Sequence, residues 1–489
     1  MSTPEKLRVL LIDSLGHLKN PSLGFPKYST VPAGLLYLAS SLKERFGNRV
    51  ETKVVNLTVD ISSQKELESI MRDFSPRLVG IRSIVAFLDY TRDVIETARK
   101  VLPEALVVVG GPSTWGYCEE LLSGTNGAHL GVIGDGEEAI CQIAESLFSG
   151  SSPCELDGIV YEDNGELKFT PPRKPIADLD SIPFPDYSLV DLDKYASHLN
   201  YCYSLRKIGA ICSSRGCPRH CIYCSNLDKD YRVRSPENVL KEMYQLHDKF
   251  GIVDFAFTDY NFHVDVARAE EILDLIISWD VKVNLYYPGG IRADTTTERL
   301  VDKMVKAGAS WITYAVETAS PRLQKYIRKN LDLDKARHII NYTFDRGVNV
   351  LNTFMFGFPT ETYEEARLTI DFAKTLCPSV VPAVFAARFF KGTQMHQIAK
   401  EKNLDVEKIN RAAKKFLTEI DLPPTDAMTG RELRMIYLEY FKEIFLEKNR
   451  LKKALERHLE HYTIEEVLTT YHFFLGRPFR SIDEILNYR

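Results

Sequence analysis

Cysteine, long apolar runs and an excess of one charge are all scarce in this sequence of 489 residues. Nine cysteines are too few for a disulfide framework in a chain of this length. No run of about 18 apolar residues occurs and the first residues lack an apolar signal core, so we expect a cytoplasmic protein with no membrane span. A formal net charge of −5 does not favour a general nucleic-acid binder.

The length of the chain exceeds what one hydrophobic core usually serves, and 44% of the residues are hydrophobic, so we expect several domains. Pattern changes along the chain predict four parts. These are a sheet domain at 1–150, a hairpin and linker at 151–200, a partial barrel at 201–400 and a helical extension at 401–489.

The first 150 residues alternate short apolar runs with helical patterns, which predicts a doubly wound parallel sheet. Strands are expected at 7–13, 50–57, 78–84, 105–110 and 129–133, and helices at 34–46, 90–102 and 137–147. Ligands of such sheets bind beyond the carboxyl ends of the strands, where glycine lets the backbone approach them closely. The turns at these ends predict ligand contacts from Ser14, Gly111, Pro112, Gly134, Asp135 and Gly136.

The middle of the chain predicts a connection followed by a second series of strands and helices. The pair Asn164-Gly165 between two short strand patterns indicates a type I′ hairpin, and prolines between 171 and 186 indicate a linker. Strands are then expected at 208–211, 253–257, 281–287, 311–316, 348–356 and 380–387. Six parallel strands form a partial (β/α)6 barrel similar to a TIM barrel, whose chemistry gathers at the carboxyl ends of the strands.

Beyond about residue 405 the pattern is helical only. An apolar and aromatic stripe recurs at helical spacing there, and we expect it to pack against the barrel or border its substrate pocket. Its members are Leu433, Ile436, Tyr437, Tyr440, Phe441, Ile444 and Phe445.

Three cysteines, Cys217, Cys221 and Cys224, lie within eight residues after the first barrel strand. Three thiolates at this spacing can bind three irons of a [4Fe–4S] cluster and leave the fourth iron open to a small chelating ligand. A structural zinc site is the alternative, and it needs His220 or Cys212 as a further ligand. The other cysteines are scattered and are expected to be ordinary thiols.

The CxxxCxxC loop, with an aromatic residue before its last cysteine, resembles that of the radical SAM superfamily. Four further motifs fit this resemblance in the expected order. They are Ser214–Pro218, Thr258–Phe262, Ala315–Ser320 and Gly357–Thr362. The sheet domain before the barrel resembles the flavodoxin-like, Rossmann-type domain of the cobalamin (B12)-binding branch, which includes the class B radical SAM methyltransferases.

The resemblance implies a [4Fe–4S] cluster, S-adenosylmethionine (SAM) and cobalamin as cofactors. In the family, the reduced cluster cleaves SAM to a 5′-deoxyadenosyl radical that abstracts hydrogen from an unactivated carbon. A methyl group then passes from methylcobalamin to the substrate, and a second SAM methylates the cobalamin again. The resemblance also implies a small-molecule or protein side-chain substrate and an electron donor such as flavodoxin or ferredoxin.

Site roles follow from the resemblance only where positions match. Cys217, Cys221 and Cys224 would ligate the cluster. Tyr223 would lie near the adenine, and Glu317 would contact SAM or form a rim salt bridge with Arg292. The remaining strand-end positions expected at the same cofactor site are Asp259, Arg292 and Gly357.

The cobalamin assignment lacks one family signature. The chain has no Asp-x-His-x-x-Gly motif, because Asp13 and His17 have the wrong spacing and His129 has no matching aspartate. Relatives without this motif leave the lower face of cobalt without a protein ligand, so we still expect cobalamin as a cofactor. His17 is interpreted as an ordinary loop histidine.

Three functions remain open from the sequence. The first is methylation of an unactivated carbon, or of a phosphinate phosphorus. The second keeps the radical but yields cyclisation, ring contraction or deoxygenation. The third is a binding module whose cysteines hold a structural metal.

Overall fold

The computed structural model describes residues 6–15, 27–226, 228–413 and 422–488. The predicted loop role of His17 lies outside the described residues. The chain forms two compact units, Met1–His198 and Leu199–Arg489. The finer division into four parts stays a prediction. No helix in the described residues is both long and apolar enough to cross a membrane.

The first unit holds a seven-stranded sheet in the order β2-β1-β3-β4-β5-β6-β7. Its strands are β1 Leu7–Asp13, β2 Val50–Asn56, β3 Leu78–Arg82, β4 Leu106–Gly110, β5 Leu130–Val132, β6 Ile159–Asp163 and β7 Glu166–Phe169. Its helices are α1 Ala33–Phe46, α2 Gln64–Phe74, α3 Leu88–Val101, α4 Cys118–Leu122, α5 Gly136–Ser149 and α6 Leu192–Ala196.

Strands β1 to β5 are parallel, which confirms the predicted doubly wound sheet. The predicted hairpin also forms, because Asn164 and Gly165 both have positive φ, +52° and +81°, as a type I′ turn requires. The hairpin is more than a connection, since β6 pairs antiparallel with β5 and extends the sheet. Helix α2 has no counterpart in the prediction, although the Ser63 side chain caps it at the Glu66 amide.

The second unit holds six parallel strands in the order β8-β11-β12-β13-β14-β15, the predicted partial barrel. The six strands are β8 Ile208–Ile211, β11 Asp254–Phe257, β12 Asn284–Ile291, β13 Ala309–Glu317, β14 Asn349–Phe356 and β15 Val384–Ala386. A separate two-stranded ribbon consists of β9 Ser214–Arg215 and β10 Arg232–Val233. The first helices of the second unit are α7 Pro236–Phe250, α8 Val266–Ser278, α9 Glu298–Lys306, α10 Pro321–Tyr326, α11 Leu333–Asp345 and α12 Tyr363–Lys374.

The remaining helices form the C-terminal extension. They are α13 Gln394–Glu401, α14 Val406–Ala413, α15 Gly430–Tyr440, a π-helical turn at Phe441–Phe445, α16 Lys448–Leu459, α17 Ile464–Leu475 and α18 Ile482–Leu486. The predicted aromatic stripe packs on the barrel. Tyr440 contacts the rings of Phe354 and Phe356, and the Tyr437 hydroxyl donates to the Phe356 carbonyl at 3.3 Å.

A buried histidine in the extension gives the second unit a pH-dependent stability. His458 is fully buried beside Trp311, Tyr462 and Tyr471, and neither ring nitrogen has a hydrogen-bond partner within the described residues. Burial lowers the pKa of His458 from 6.5 to about 3, so the folded protein keeps this ring neutral. Unfolded histidine binds a proton as the pH falls below its ordinary pKa, which favours the unfolded state.

We therefore expect the free energy of unfolding to contain the full effect of a neutral His458 above about pH 6.5. On acidification to about pH 5, proton binding by the unfolded state should lower this free energy by about 2 kcal/mol. His458→Leu should reduce the acid-induced drop in thermal stability of the second unit by that amount. Thermal unfolding between these pH values measures the difference. His338→Gln, at an exposed position, is the control. Equal pH dependence in His458→Leu and the unmodified protein would refute the assignment.

Candidate functional site

The cysteine loop is closed at its base by a two-stranded ribbon. Strand β9 pairs antiparallel with β10, and the Cys217 amide donates to the Asp228 carbonyl at 3.0 Å. Gly216 has a φ of +75°, and a Cβ at this position would lie 2.2 Å from the Asp230 carbonyl oxygen. Only glycine fits such a turn. The ribbon therefore holds the three cysteines within one closed loop.

Asp259 fixes the segment that enters this loop. Its buried carboxylate accepts from the Ser213 amide at 3.2 Å, from the Ser213 hydroxyl at 2.8 Å and from the Ser214 hydroxyl. Burial raises the pKa of Asp259, and the three hydrogen bonds oppose that rise. Arg268 donates to the Ser213 carbonyl at 2.6 Å from the other side. Both oxygens of Asp259 thus bind the protein's own loop, and a cofactor contact stays a prediction.

Cys217, Cys221 and Cys224 are free thiols of intermediate exposure. Burial raises the pKa of Cys224, and the charges of Cys221 and Cys217 raise it further, against the Asn226 amide and Lys229. Joint ligation of one cluster by the three cysteines stays a prediction. Among the described residues, no three His, Cys, Asp or Glu side chains are grouped to hold a single metal ion.

The second half of the loop is attached to the barrel through Ile222. Its amide donates to the Ile327 carbonyl at 3.1 Å, and its carbonyl accepts from the Met395 amide at 3.0 Å. The ring of Tyr223 meets that of Phe358 edge-on, with centroids 6.1 Å apart. Tyr223 is therefore brought to the carboxyl ends of β13 and β14.

At these strand ends, Glu317 and Lys329 form a buried ion pair, which the half-buried Tyr223 hydroxyl joins. The Lys329 ammonium lies 3.1 Å from Glu317 Oε1 and 3.3 Å from the Tyr223 hydroxyl, which itself lies 3.4 Å from Glu317 Oε1. Glu317 ends β13 with a φ of +72°, next to a register shift. A left-handed residue here reorients the side chain at the cost of strain, which is common where a side chain serves a ligand.

The predicted salt bridge between Glu317 and Arg292 is wrong, because Lys329 takes that place. Arg292 binds Asp294 instead, with Nε at 3.0 Å from Oδ1 and NH2 at 2.6 Å from Oδ2. Its NH1 donates to the Lys329 carbonyl at 2.8 Å. The guanidinium is ion-paired with a carboxylate two residues away, and a direct cofactor contact by Arg292 stays a prediction.

Gly357 follows β14 in the left-handed region, with a φ of +89°. Its amide donates to Glu361 Oε2 at 2.6 Å, and the Phe358 amide donates to the same oxygen at 3.1 Å. Burial raises the pKa of Glu361 to about 8, although these amides lower it. Glu361 thus shapes the turn that carries Gly357 and Phe358 beside Tyr223.

In the first unit, three polar residues end adjacent strands in register: Asp13 on β1, Asn56 on β2 and Arg82 on β3. Asp13 is fully buried and accepts from Asn56 at 3.0 Å and from Arg82 at 3.3 Å. Burial raises the pKa of Asp13, and the positive charge of Arg82 opposes this. This cluster marks the carboxyl edge of the sheet, where ligands of such folds bind.

The predicted ligand contacts of the first unit lie along the same edge. Ser14 is buried, and its hydroxyl donates to the Arg82 carbonyl at 2.6 Å, whereas Pro112 is exposed. Gly134 has a φ of +99°, Gly136 begins α5, and Asp135 between them accepts from the Ile176 amide at 2.8 Å. Their contacts with a ligand stay predictions.

Gly111 offers the sharpest steric test of that edge. Its φ is +107°, and an added Cβ would lie 2.8 Å from the Ser83 carbonyl oxygen. Gly124 is a matched control, since its φ is +91° but a Cβ there meets nothing within 4 Å. Because this clash would displace a turn predicted to contact cobalamin, Gly111→Ala should lower cobalamin retention about 10-fold or more, and Gly124→Ala should cost only about 1 kcal/mol of backbone strain. Cobalt analysis after gel filtration measures retention. Equal retention in the two variants would contradict a ligand role for this turn.

Sequence reasoning missed Lys329, Arg82 and Asp13 as site residues. A signal existed for Asp13 and Arg82, because each is the polar last residue of an otherwise mostly apolar strand pattern. No local signal marks Lys329, which lies in a short turn between α10 and α11.

The chain is similar to several known proteins along most of its length. An uncharacterized methyltransferase of Pyrococcus horikoshii is 28% identical over 376 residues, which span 76% of this chain and 79% of the relative. An anaerobic magnesium-protoporphyrin IX monomethyl ester cyclase of Rubrivivax gelatinosus is 24% identical over 85% of this chain and 74% of its own. The fold is similar to that of the radical S-adenosylmethionine methyltransferase TsrM from Kitasatospora setae. That match has a TM-score of 0.65 and 21% identity, and it covers 81% of this chain and 76% of TsrM.

Two family models match, and together they span more than half of the chain. The radical SAM superfamily matches residues 211–373, which include the cysteine loop and Glu317. The B12 binding domain matches residues 24–144, which include the sheet edge at Arg82 and Gly111. The first match implies a [4Fe–4S] cluster and SAM, and the second implies cobalamin. The chain therefore belongs to the radical SAM superfamily, in the branch that carries a B12-binding domain.

Proposed function

We propose that this chain is a cobalamin-dependent radical SAM methyltransferase that methylates an unactivated carbon. The observation that carries this proposal is one closed three-cysteine loop beside a buried ion pair, in a chain that also has a B12-binding domain. When bound, the cluster supplies the electron that cleaves SAM, and cobalamin carries the methyl group. The methyltransferase relative supports this choice among radical reactions.

The residues of the second unit have distinct roles in this proposal. Cys217, Cys221 and Cys224 would ligate three irons of the cluster, which would leave one iron available to SAM. Glu317 and Lys329 offer an anion and a cation 3.1 Å apart, which suits a ligand that carries both charges and ribose hydroxyls. Tyr223 and the turn at Gly357 would border the adenine.

The alternative is a radical reaction without methyl transfer, and the cyclase relative favours it specifically. Both functions use SAM, but they differ in how it is consumed. A methyltransferase of this kind converts one SAM to S-adenosylhomocysteine and another to 5′-deoxyadenosine and methionine. A cyclase forms only the second set of products.

The deciding experiment needs no knowledge of the substrate. The protein is reconstituted anaerobically with iron, sulfide and cobalamin, then incubated with reductant and SAM that carries a deuterated methyl group. Mass spectrometry quantifies both nucleoside products. We expect both to form, with S-adenosylhomocysteine dependent on added cobalamin. Formation of 5′-deoxyadenosine alone would support the alternative, and formation of neither would refute both.

We further propose a small-molecule or protein side-chain substrate and a flavodoxin- or ferredoxin-type electron donor. Reduced thiols are needed to ligate the cluster, so the proposed compartment is the cytoplasm.

A further inference from the structure

The turn that carries Lys329 is held in a strained conformation. Arg328 and Asn330, on either side of Lys329, have left-handed φ values of +55° and +50°. Each such residue costs about 1–2 kcal/mol when it is not glycine, so the surrounding structure must stabilise the turn. Two buried residues, Gln324 and Arg292, provide that support.

Gln324 holds one side of the turn. Its backbone carbonyl accepts from the backbone amides of Lys329 at 3.1 Å and Asn330 at 3.0 Å. Its side-chain amide donates to the carbonyls of Val316 at 3.0 Å and Thr318 at 2.6 Å, which flank Glu317. The turn is thereby attached to the end of β13.

Arg292 holds the opposite side. Its guanidinium donates to the carbonyl of Lys329 at 2.8 Å and to that of Asn330 at 3.4 Å, while Asp294 orients it. The carbonyl of Arg292 in turn accepts from His263 at 3.2 Å and from the Thr296 hydroxyl at 2.8 Å. Arg292 is only 8% exposed, and it connects the loop after β11 to the turn that carries Lys329.

We propose that Arg292 is a positioning residue for SAM binding. Arg292 acts without touching the cofactor. It fixes the backbone of residues 328–330 so that the Lys329 ammonium meets Glu317 and Tyr223. This inference rests on the proposed function for the identity of the ligand, but the placement of Lys329 can be tested without any cofactor.

The first test measures the reactivity of Lys329 in the cofactor-free protein. Acetic anhydride acetylates exposed amines, and peptide mass spectrometry follows each lysine. Lys329 is 5% exposed and ion-paired, whereas Lys335 is 69% exposed and serves as the internal control. Arg292→Lys keeps a cation but loses the paired contacts with two carbonyls. We expect it to raise the acetylation rate of Lys329 about 10-fold or more, with Lys335 unchanged.

Unchanged acetylation of Lys329 in a folded Arg292→Lys protein would overturn the proposal. Asp294→Asn is the second variant, for the case in which Arg292→Lys does not fold, and it weakens the contact that orients the guanidinium. We expect a smaller increase in the same direction. Unchanged reactivity of Lys329 in Asp294→Asn would overturn the proposal if Arg292→Lys does not fold.

The second test separates positioning from direct contact. Equilibrium dialysis of the reconstituted protein measures the dissociation constant for SAM, with iron and sulfide analysed in parallel. We expect Arg292→Lys to raise this constant about 10-fold at unchanged cluster content, but to add no further loss in a Lys329→Met background. An additive loss would mean that Arg292 contacts SAM itself and would overturn the proposal. The unmodified protein could bind no SAM while the reactivity of Lys329 still responds as expected. In that case the proposed function fails, together with the role of Arg292 in SAM binding, while the placement of Lys329 by Arg292 stands.

Discussion

Replacement of Cys217, Cys221 or Cys224 by alanine is expected to abolish reductive cleavage of SAM. Each sulfur would hold one iron, and the loss of one ligand leaves the cluster with two protein attachments and a second open iron. Changes to residues that merely orient metal ligands cost about 10- to 100-fold, so loss of a ligand itself should cost more than about 100-fold. Iron and sulfide analysis and the yield of 5′-deoxyadenosine measure the effect.

Cys212→Ala is the matched control for these three variants. Cys212 lies before the ribbon that closes the loop, and its thiol lies 3.4 Å from the Ser214 carbonyl. Burial raises the pKa of Cys212 to about 11, so the thiol stays protonated and can donate to the Ser214 carbonyl. We expect nearly unchanged cluster content and turnover. Turnover in any of the three loop variants would remove that cysteine from the ligand set.

Lys329→Met is expected to have the second-largest effect, on both stability and SAM binding. Lys329 and Glu317 are only 5% and 10% exposed in their side chains. Removal of one partner of such a pair leaves a buried charge and typically costs about 3–5 kcal/mol. The Tyr223 hydroxyl, 3.4 Å from Glu317, offsets part of this cost. Thermal unfolding and equilibrium dialysis with SAM measure the two effects.

Adding Glu317→Gln to Lys329→Met separates charge burial from ligand recognition. The double variant buries no unpaired charge, so we expect it to be more stable than Lys329→Met alone. Its SAM affinity should stay low, because both charged groups proposed to meet the ligand are gone. Lys335→Met, which breaks an exposed pair with Asp332, should cost no more than about 1 kcal/mol. If the double variant regained SAM affinity, Glu317 and Lys329 would be structural residues only.

Strand patterns predicted the architecture because each barrel strand is a short apolar run with a turn or helix signal after it. The same patterns place Asp259, Glu317 and Gly357 just after or at the end of their strands, where a barrel gathers its chemistry. The ribbon β9–β10 escaped prediction because its strands have only two residues each, too few for any periodicity.

Side-chain partners at the site were harder to predict than strand positions. Arg292 and Glu317 lie at the ends of neighbouring strands, which made them plausible partners. The left-handed conformation of Glu317 and the nearby carboxylate of Asp294 redirect both side chains. Lys329 reaches Glu317 only because a strained turn is held by Gln324 and Arg292, and such long-range support has no local sequence signature.

The most direct test of the three-cysteine site is acid-labile sulfide and iron analysis of the anaerobically reconstituted protein. We expect about four irons and four sulfides per chain, bound by Cys217, Cys221 and Cys224 alone. A protein without labile sulfide that instead retains one zinc per chain would contradict the proposed radical chemistry.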